Sequence, residues 1–121
     1  MTAYAIAHLR RPAADLPDEV LDYMERIQST LDPYQGRFLV HGAPRTEVLE
    51  GTFDQALVII GFPTFDQARD WYHSTAYQRL LPQRTDHLDG DCLLVDGVPP
   101  GYEAAATAAA IREAQSAAPD T

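Results

Sequence analysis

The sequence predicts an α+β domain of ferredoxin-like type, a βαββαβ four-stranded antiparallel sheet with both helices on one face, and three observations carry that prediction. The first is order: apolar periods and chain breakers read strand, helix, strand, strand, helix, strand, the split βαβ pattern. The second is the run Ala56-Leu57-Val58-Ile59-Ile60-Gly61-Phe62, apolar at both parities, which suits a strand covered on both faces. The third is length, since 121 residues hold one hydrophobic core and are too few for two.

Residues Ala3 to Arg10 alternate, with Tyr4, Ile6, His8 and Arg10 on one face and Ala3, Ala5, Ala7 and Leu9 on the other, and read as the first strand. Pro12 and Pro17 bound a loop. Asp15 is placed to cap a helix whose first turn carries Pro17, Asp18 and Glu19 and whose apolar positions are Val20, Leu21, Met24, Ile27 and Leu31. Asp32-Pro33 stops it. After Gly36, residues Arg37 to His41 read as the second strand, with a bend at 42–44 and a possible extension over 46–49. Pro63 ends the third strand at Ala56 to Phe62. Thr64-Phe65-Asp66-Gln67 is a capping-box pattern that starts a helix with Phe65, Ala68 and Tyr72 on one face and Trp71 on its flank. Ser74 caps a further helical piece through Leu81, and Asp91 to Val95 is the last strand. The domain spans residues 1–98. Residues 99–121 form a Pro/Gly linker and an alanine-rich tail, helical or disordered, whose large apolar residues are Tyr102 and Ile111.

Composition excludes several functions. A formal charge of −9 repels phosphate, so neither nucleic acid nor an anionic membrane is an expected partner. All nine basic residues are arginine, so no ammonium side chain can form a Schiff base or serve a phosphate loop. The start of the chain has no basic leader segment, and no stretch approaches the roughly 18 apolar residues of a membrane span, which points to the cytoplasm. The one cysteine, Cys92, lies in an apolar run and reads as a buried structural thiol. The third strand's large apolar residues on both faces ask for cover on the face the helices leave open. A homodimer joined through that face supplies it, the alternative being cover by the tail or loops.

Particular residues sharpen the reading. Ala3-Tyr4-Ala5-Ile6-Ala7, the segment from Tyr34 to Gly42, Val48-Leu49-Glu50-Gly51, Ile60-Gly61-Phe62-Pro63 and above all Trp71-Tyr72-His73-Ser74-Thr75-Ala76-Tyr77 resemble the domain of unknown function 1330 (DUF1330) family of the dimeric α+β barrel superfamily. The resemblance covers roughly residues 2–95. The sequence departs from the family pattern at His41, where an arginine is common, at Gln35, where a second glycine is usual, and in the tail. The resemblance implies likeness to cofactor-free quinone-forming monooxygenases, polyketide cyclases, muconolactone isomerases and haem-binding members, an analogy of fold that does not by itself assign a reaction.

The histidines His8, His41, His73 and His87 show no spacing that would put two imidazoles on one metal, and no metal or organic cofactor is expected. In the expected strand order 4-1-3-2, His8 and His41 stand about 9–10 Å apart across the third strand and could flank a small ligand. An imidazole titrates near pH 6.5 and so exchanges protons at neutrality. The plainer reading of each is a half-buried strand histidine satisfied by a neighbour, while His73 and His87 read as surface residues. Arg37 alternates in phase with Leu39 and His41, which predicts one shared face and an anion or enolate held between guanidinium and imidazole. The plain alternative pairs Arg37 with a surface carboxylate. Tyr34, Trp71, Tyr72 and Tyr77 form an aromatic set for a flat ligand or for ordinary packing, and Arg84 either meets a ligand carboxylate or is solvated. The candidate catalytic residues are thus His41, His8 and Arg37, and the candidate ligand contacts are Tyr34, Trp71, Tyr72, Tyr77 and Arg84. Two functions follow: an isomerase, cyclase or monooxygenase-like enzyme for a small organic, anionic or aromatic molecule, or a non-catalytic small-ligand-binding or accessory protein.

Overall fold

A computed structural model describes residues 2–10, 15–42 and 45–117. Four strands, β1 (Ala3–Leu9), β2 (Arg37–His41), β3 (Ala56–Phe62) and β4 (Gly90–Asp96), form one sheet in the order β2-β3-β1-β4 with every neighbouring pair antiparallel. Helices α1 (Asp18–Leu31), α2 (Phe65–Tyr72), α3 (Thr75–Leu80) and α4 (Pro82–Thr85) lie between the strands along the chain, and α5 (Ala104–Ser116) follows β4. The ferredoxin-like prediction holds, with the predicted strand order. The expected bend at 43–44, the proline at position 12 and residue 118 of the tail lie outside the described residues.

Local chemistry explains the boundaries. Thr64 accepts a hydrogen bond from the Gln67 backbone N–H at 3.1 Å, the N-cap half of the predicted capping box, worth about 1 kcal/mol, while Gln67 Oε1 accepts from the Thr64 hydroxyl and not from its backbone N–H. Ser74 caps α3 by accepting from Tyr77 N–H at 3.2 Å. Helix α1 departs from expectation: Pro17, not Asp15, occupies the cap position, and no side chain caps the helix. The acidic pair Asp18 and Glu19 in the first turn instead faces the positive end of the helix dipole. No strand forms over 46–49. Pro82, expected to end the helical stretch, begins α4, because a proline at the first position of a helix gives up no bond.

Alternation decides which side chains meet the helices. Ala3, Ala5 and Leu9 of β1 and Ile60 and Phe62 of β3 are buried beneath them, against Tyr23, Ile27 and Leu31 of α1 and Ala68 and Trp71 of α2. Two expectations are corrected here. Leu21 is 42% exposed, because the buried face of α1 runs through Val20, Tyr23, Ile27 and Leu31 instead. Trp71 is not on a flank but in the core, with Phe65 turned toward the surface; its indole N–H donates to Thr30 Oγ1 at 3.0 Å, and Thr30 donates on to the Ile27 carbonyl.

Candidate functional site

The β1 side chains facing the helices are mostly alanines, and α1 cannot sink into the space above such short groups. A cavity of about 400 Å³ remains between sheet and helices. Ala5, Ala7, Val58 and Ile60 form its floor, Val20, Tyr23 and Ile27 its roof, and Trp71, Tyr77 and Arg84 its inner wall, while His41, Arg10 and Leu16 stand at other parts of its lining. Strand register orders the floor: His41 lies opposite Val58, Val58 opposite Ala7, and Ala7 opposite Cys92. His41 and Cys92 therefore mark the two edges of the sheet at one level.

Four of the predicted residues, His41, Trp71, Tyr77 and Arg84, line this cavity, and four do not. Arg37 was expected to share a face with His41. The β2–β3 register pairs Phe38 with Ile60 but Val40 with Ile59, so Leu39 is an extra residue that shifts the alternation by one. Phe38 and His41 consequently face the helices, their rings 4.9 Å apart, while Arg37 lines a separate, open hollow of about 590 Å³ with Tyr4, Leu39 and Gly61. Arg37 and His41 thus cannot hold one ligand between them. His8 also points to the open face, with its ring edge-on to Phe53 at 5.4 Å, so His8 and His41 do not flank one ligand either. Tyr34 and Tyr72 are half-buried and pack on the outside of the core cluster.

Tyr23, which sequence reasoning passed over, joins the roof to the inner wall. Its hydroxyl lies 2.7 Å from that of Tyr77, and the Arg84 guanidinium stands 5.8 Å from its ring centre. The spacing of Val20, Tyr23 and Ile27 along one helical face was the signal that could have found it. Burial holds the pKa of both phenols above the ordinary tyrosine value, and in Tyr77 the neighbouring Tyr23 adds to the effect, so both remain protonated at neutral pH. Burial on its own would weaken the Arg84 cation, but attraction to the two phenol oxygens outweighs it and the guanidinium stays charged. Cys92 corrects another expectation. It is exposed and lines the cavity, because the Ala7 methyl beside it is too short to fill the space. Its surroundings nonetheless raise the thiol pKa by desolvation, partly offset by Arg84, and keep it neutral. His73 and His87 are at the surface, with His87 3.2 Å from Glu19. Among the described residues no group of three or more histidine, cysteine or carboxylate side chains could hold a metal ion, and no helix is long and apolar enough to cross a membrane.

A four-stranded antiparallel sheet with helices on one face and an apolar chamber beneath them places the chain in the ferredoxin-like class of α+β folds. The chain belongs to the DUF1330 family, a domain of unknown function whose model matches residues 2–98. No curated protein matches the sequence. A protein of unknown function from Rhodopseudomonas palustris has a similar structure, with a TM-score of 0.59 at 16% identity over 82% of this chain and 84% of that one. SnoaB from Streptomyces nogalater, a cofactor-independent oxygenase, is similar with a TM-score of 0.53 at 16% identity over 84% of this chain and 98% of SnoaB. At these identities the likeness is one of fold.

Proposed function

We propose that the protein is a small-molecule enzyme that works without an organic cofactor, of isomerase, cyclase or monooxygenase-like type, in the chamber between sheet and helices. The observation that carries this reading is the chamber itself: about 400 Å³ of apolar space, reached by one proton-exchanging side chain, His41, and by one buried cation, Arg84. The shared first step is removal of a proton from a carbon beside a carbonyl. The C–H bond breaks, the imidazole of His41 takes the proton, and the electron pair passes into the enolate. Similarity in fold to a cofactor-independent oxygenase supports the reading as an analogy.

We also propose that the working form is a cytoplasmic homodimer. The free thiol of Cys92 fits a reducing compartment, and the sheet face away from the helices presents Tyr4, Ile6, Leu57, Ile59, Leu93 and Val95, with Leu93 46% exposed.

6-Oxoheptanoate, which carries a carboxylate at one end and an enolisable methyl ketone at the other, tests the enzymatic reading in heavy water by NMR. The wild-type protein should accelerate deuterium uptake at the methyl carbon beside the ketone. His41→Ala should lose about 100-fold of the acceleration, the usual scale for a general base. Arg37→Ala should lose none, since that side chain lies on the other face. Binding without exchange would favour the non-catalytic reading, and full activity of His41→Ala would remove His41 as the base.

A further inference from the structure

The chamber's end beside β4 is rich in hydrogen-bond donors and poor in acceptors. Arg84 is 8% exposed, and among the described residues the ion pairs are Arg26 with Asp22 and His87 with Glu19, so no carboxylate lies within pairing distance of its guanidinium. The group brings five N–H donors and no acceptor. Beside it, the Tyr23 and Tyr77 hydroxyls share one hydrogen across 2.7 Å, which leaves the second phenol hydrogen to donate elsewhere. Both phenol oxygens also face the Arg84 guanidinium, which is their further partner within the site, while the nearby floor of alanine, valine and isoleucine brings no side-chain acceptor. A cation taken out of water is costly to keep unless an anion meets it, and two phenols offer only part of that compensation.

We propose that Arg84, Tyr23 and Tyr77 form a recognition site for the anionic oxygens of an organic acid, a carboxylate or acidic enol whose apolar body lies over Ala5, Ala7 and Val58. The inference rests on the reading of this chamber as the ligand site and names the substrate class it takes. The row His41, Val58, Ala7 and Cys92 spans three strand spacings, about 14 Å between backbones. An acid held at the Arg84 end therefore extends toward His41, which places a reactive carbon at the far end of the molecule from its anionic group. The net charge of −9 opposes anion binding generally, so a preference for acids has to arise locally.

Trp71, the one tryptophan of the chain, lines the chamber and reports its occupancy by fluorescence. Hydrocinnamate and its neutral amide, hydrocinnamamide, differ at the acid group while keeping the apolar body. The wild-type protein should bind the acid at least about tenfold more tightly than the amide, the scale of one charge-assisted hydrogen bond. Arg84→Met should abolish that preference while amide affinity stays within about threefold, and Tyr23→Phe should reduce the preference in a variant that keeps the buried ring. Equal affinities for acid and amide in the wild-type protein would overturn the anion site and leave the chamber as a ligand site. Failure of both probes to bind the folded wild-type protein would overturn both readings together. An acid preference that survives unchanged in both variants would also overturn the assignment to these residues.

Discussion

At the scale of single residues, burial of the paired phenols has a measurable consequence. Tyr23 and Tyr77 carry pKa values above the ordinary 10.0, with desolvation the largest cause in each. The unfolded chain releases these protons near its ordinary value while the native chain keeps them, so the native state binds more protons above that pH. The stability they contribute is therefore complete below about pH 10 and is lost as pH rises beyond it. Urea unfolding followed from about pH 8 to 11 should show the decline, and Tyr77→Phe should flatten it while costing about 1 kcal/mol at neutral pH through loss of the bond to Tyr23. An alkaline slope identical in variant and wild type would mean that Tyr77 titrates as if exposed. Gln35 shows the opposite kind of residue effect. Its φ of 60° is left-handed, a conformation that glycine adopts without penalty and that a residue with a Cβ adopts at a cost.

At the scale of elements, two backbone details position the site. The extra residue at Leu39 turns β2 over halfway along, so that Phe38 and His41 face the chamber while Arg37 faces away. Where β4 begins, Gly90 lies opposite Leu9 so closely that a side-chain carbon there would come within 2.1 Å of the His8 carbonyl oxygen. Backbone cannot yield as a flexible side chain would. Gly90→Ala should therefore push β4 off the end of β1 and cost about 2–3 kcal/mol, at the upper end of overpacking effects. A melting temperature within error of the wild type would show that the strand end shifts freely. Helix α5 contributes differently: every residue in it is exposed, and beside its own backbone bonds it has the Tyr102–Thr107 hydroxyl contact at its start.

At the scale of the molecule, one sheet face is closed by helices and the other is open and apolar. Leu39 at 52% exposure, Leu93 at 46% and Val95 at 37% stand on it in one layer with half-buried Ile6, Leu57 and Ile59. A stable pair of such faces buries about 800 Å² per partner, an area that a four-stranded sheet supplies. Sedimentation at micromolar concentration should return a dimer, and Leu93→Asp should return a folded monomer, because an unpaired charge buried in the interface costs more than the contact gains. A compact wild-type monomer would remove the open face as the interface.

Sequence alone determined the elements and their order. Period, capping residues and prolines act over a few residues, so β2, β3 and the Thr64 cap could be read from the chain itself, while the strand order followed from the fold class that the order of elements implies. The residues that reach the chamber were legible only in part. Trp71, Tyr77 and Arg84 stood out by type, yet Tyr23 was lost among the apolar positions of α1, because its partner Tyr77 is 54 residues away. The tertiary structure alone decided that Arg37 and His41 part company. Strict alternation would place them together, and only the pairing of β2 with β3 reveals the extra residue that separates them. The same holds for the chamber, since alanines on β1 become a cavity only when α1 is laid across them at a height that larger neighbours set.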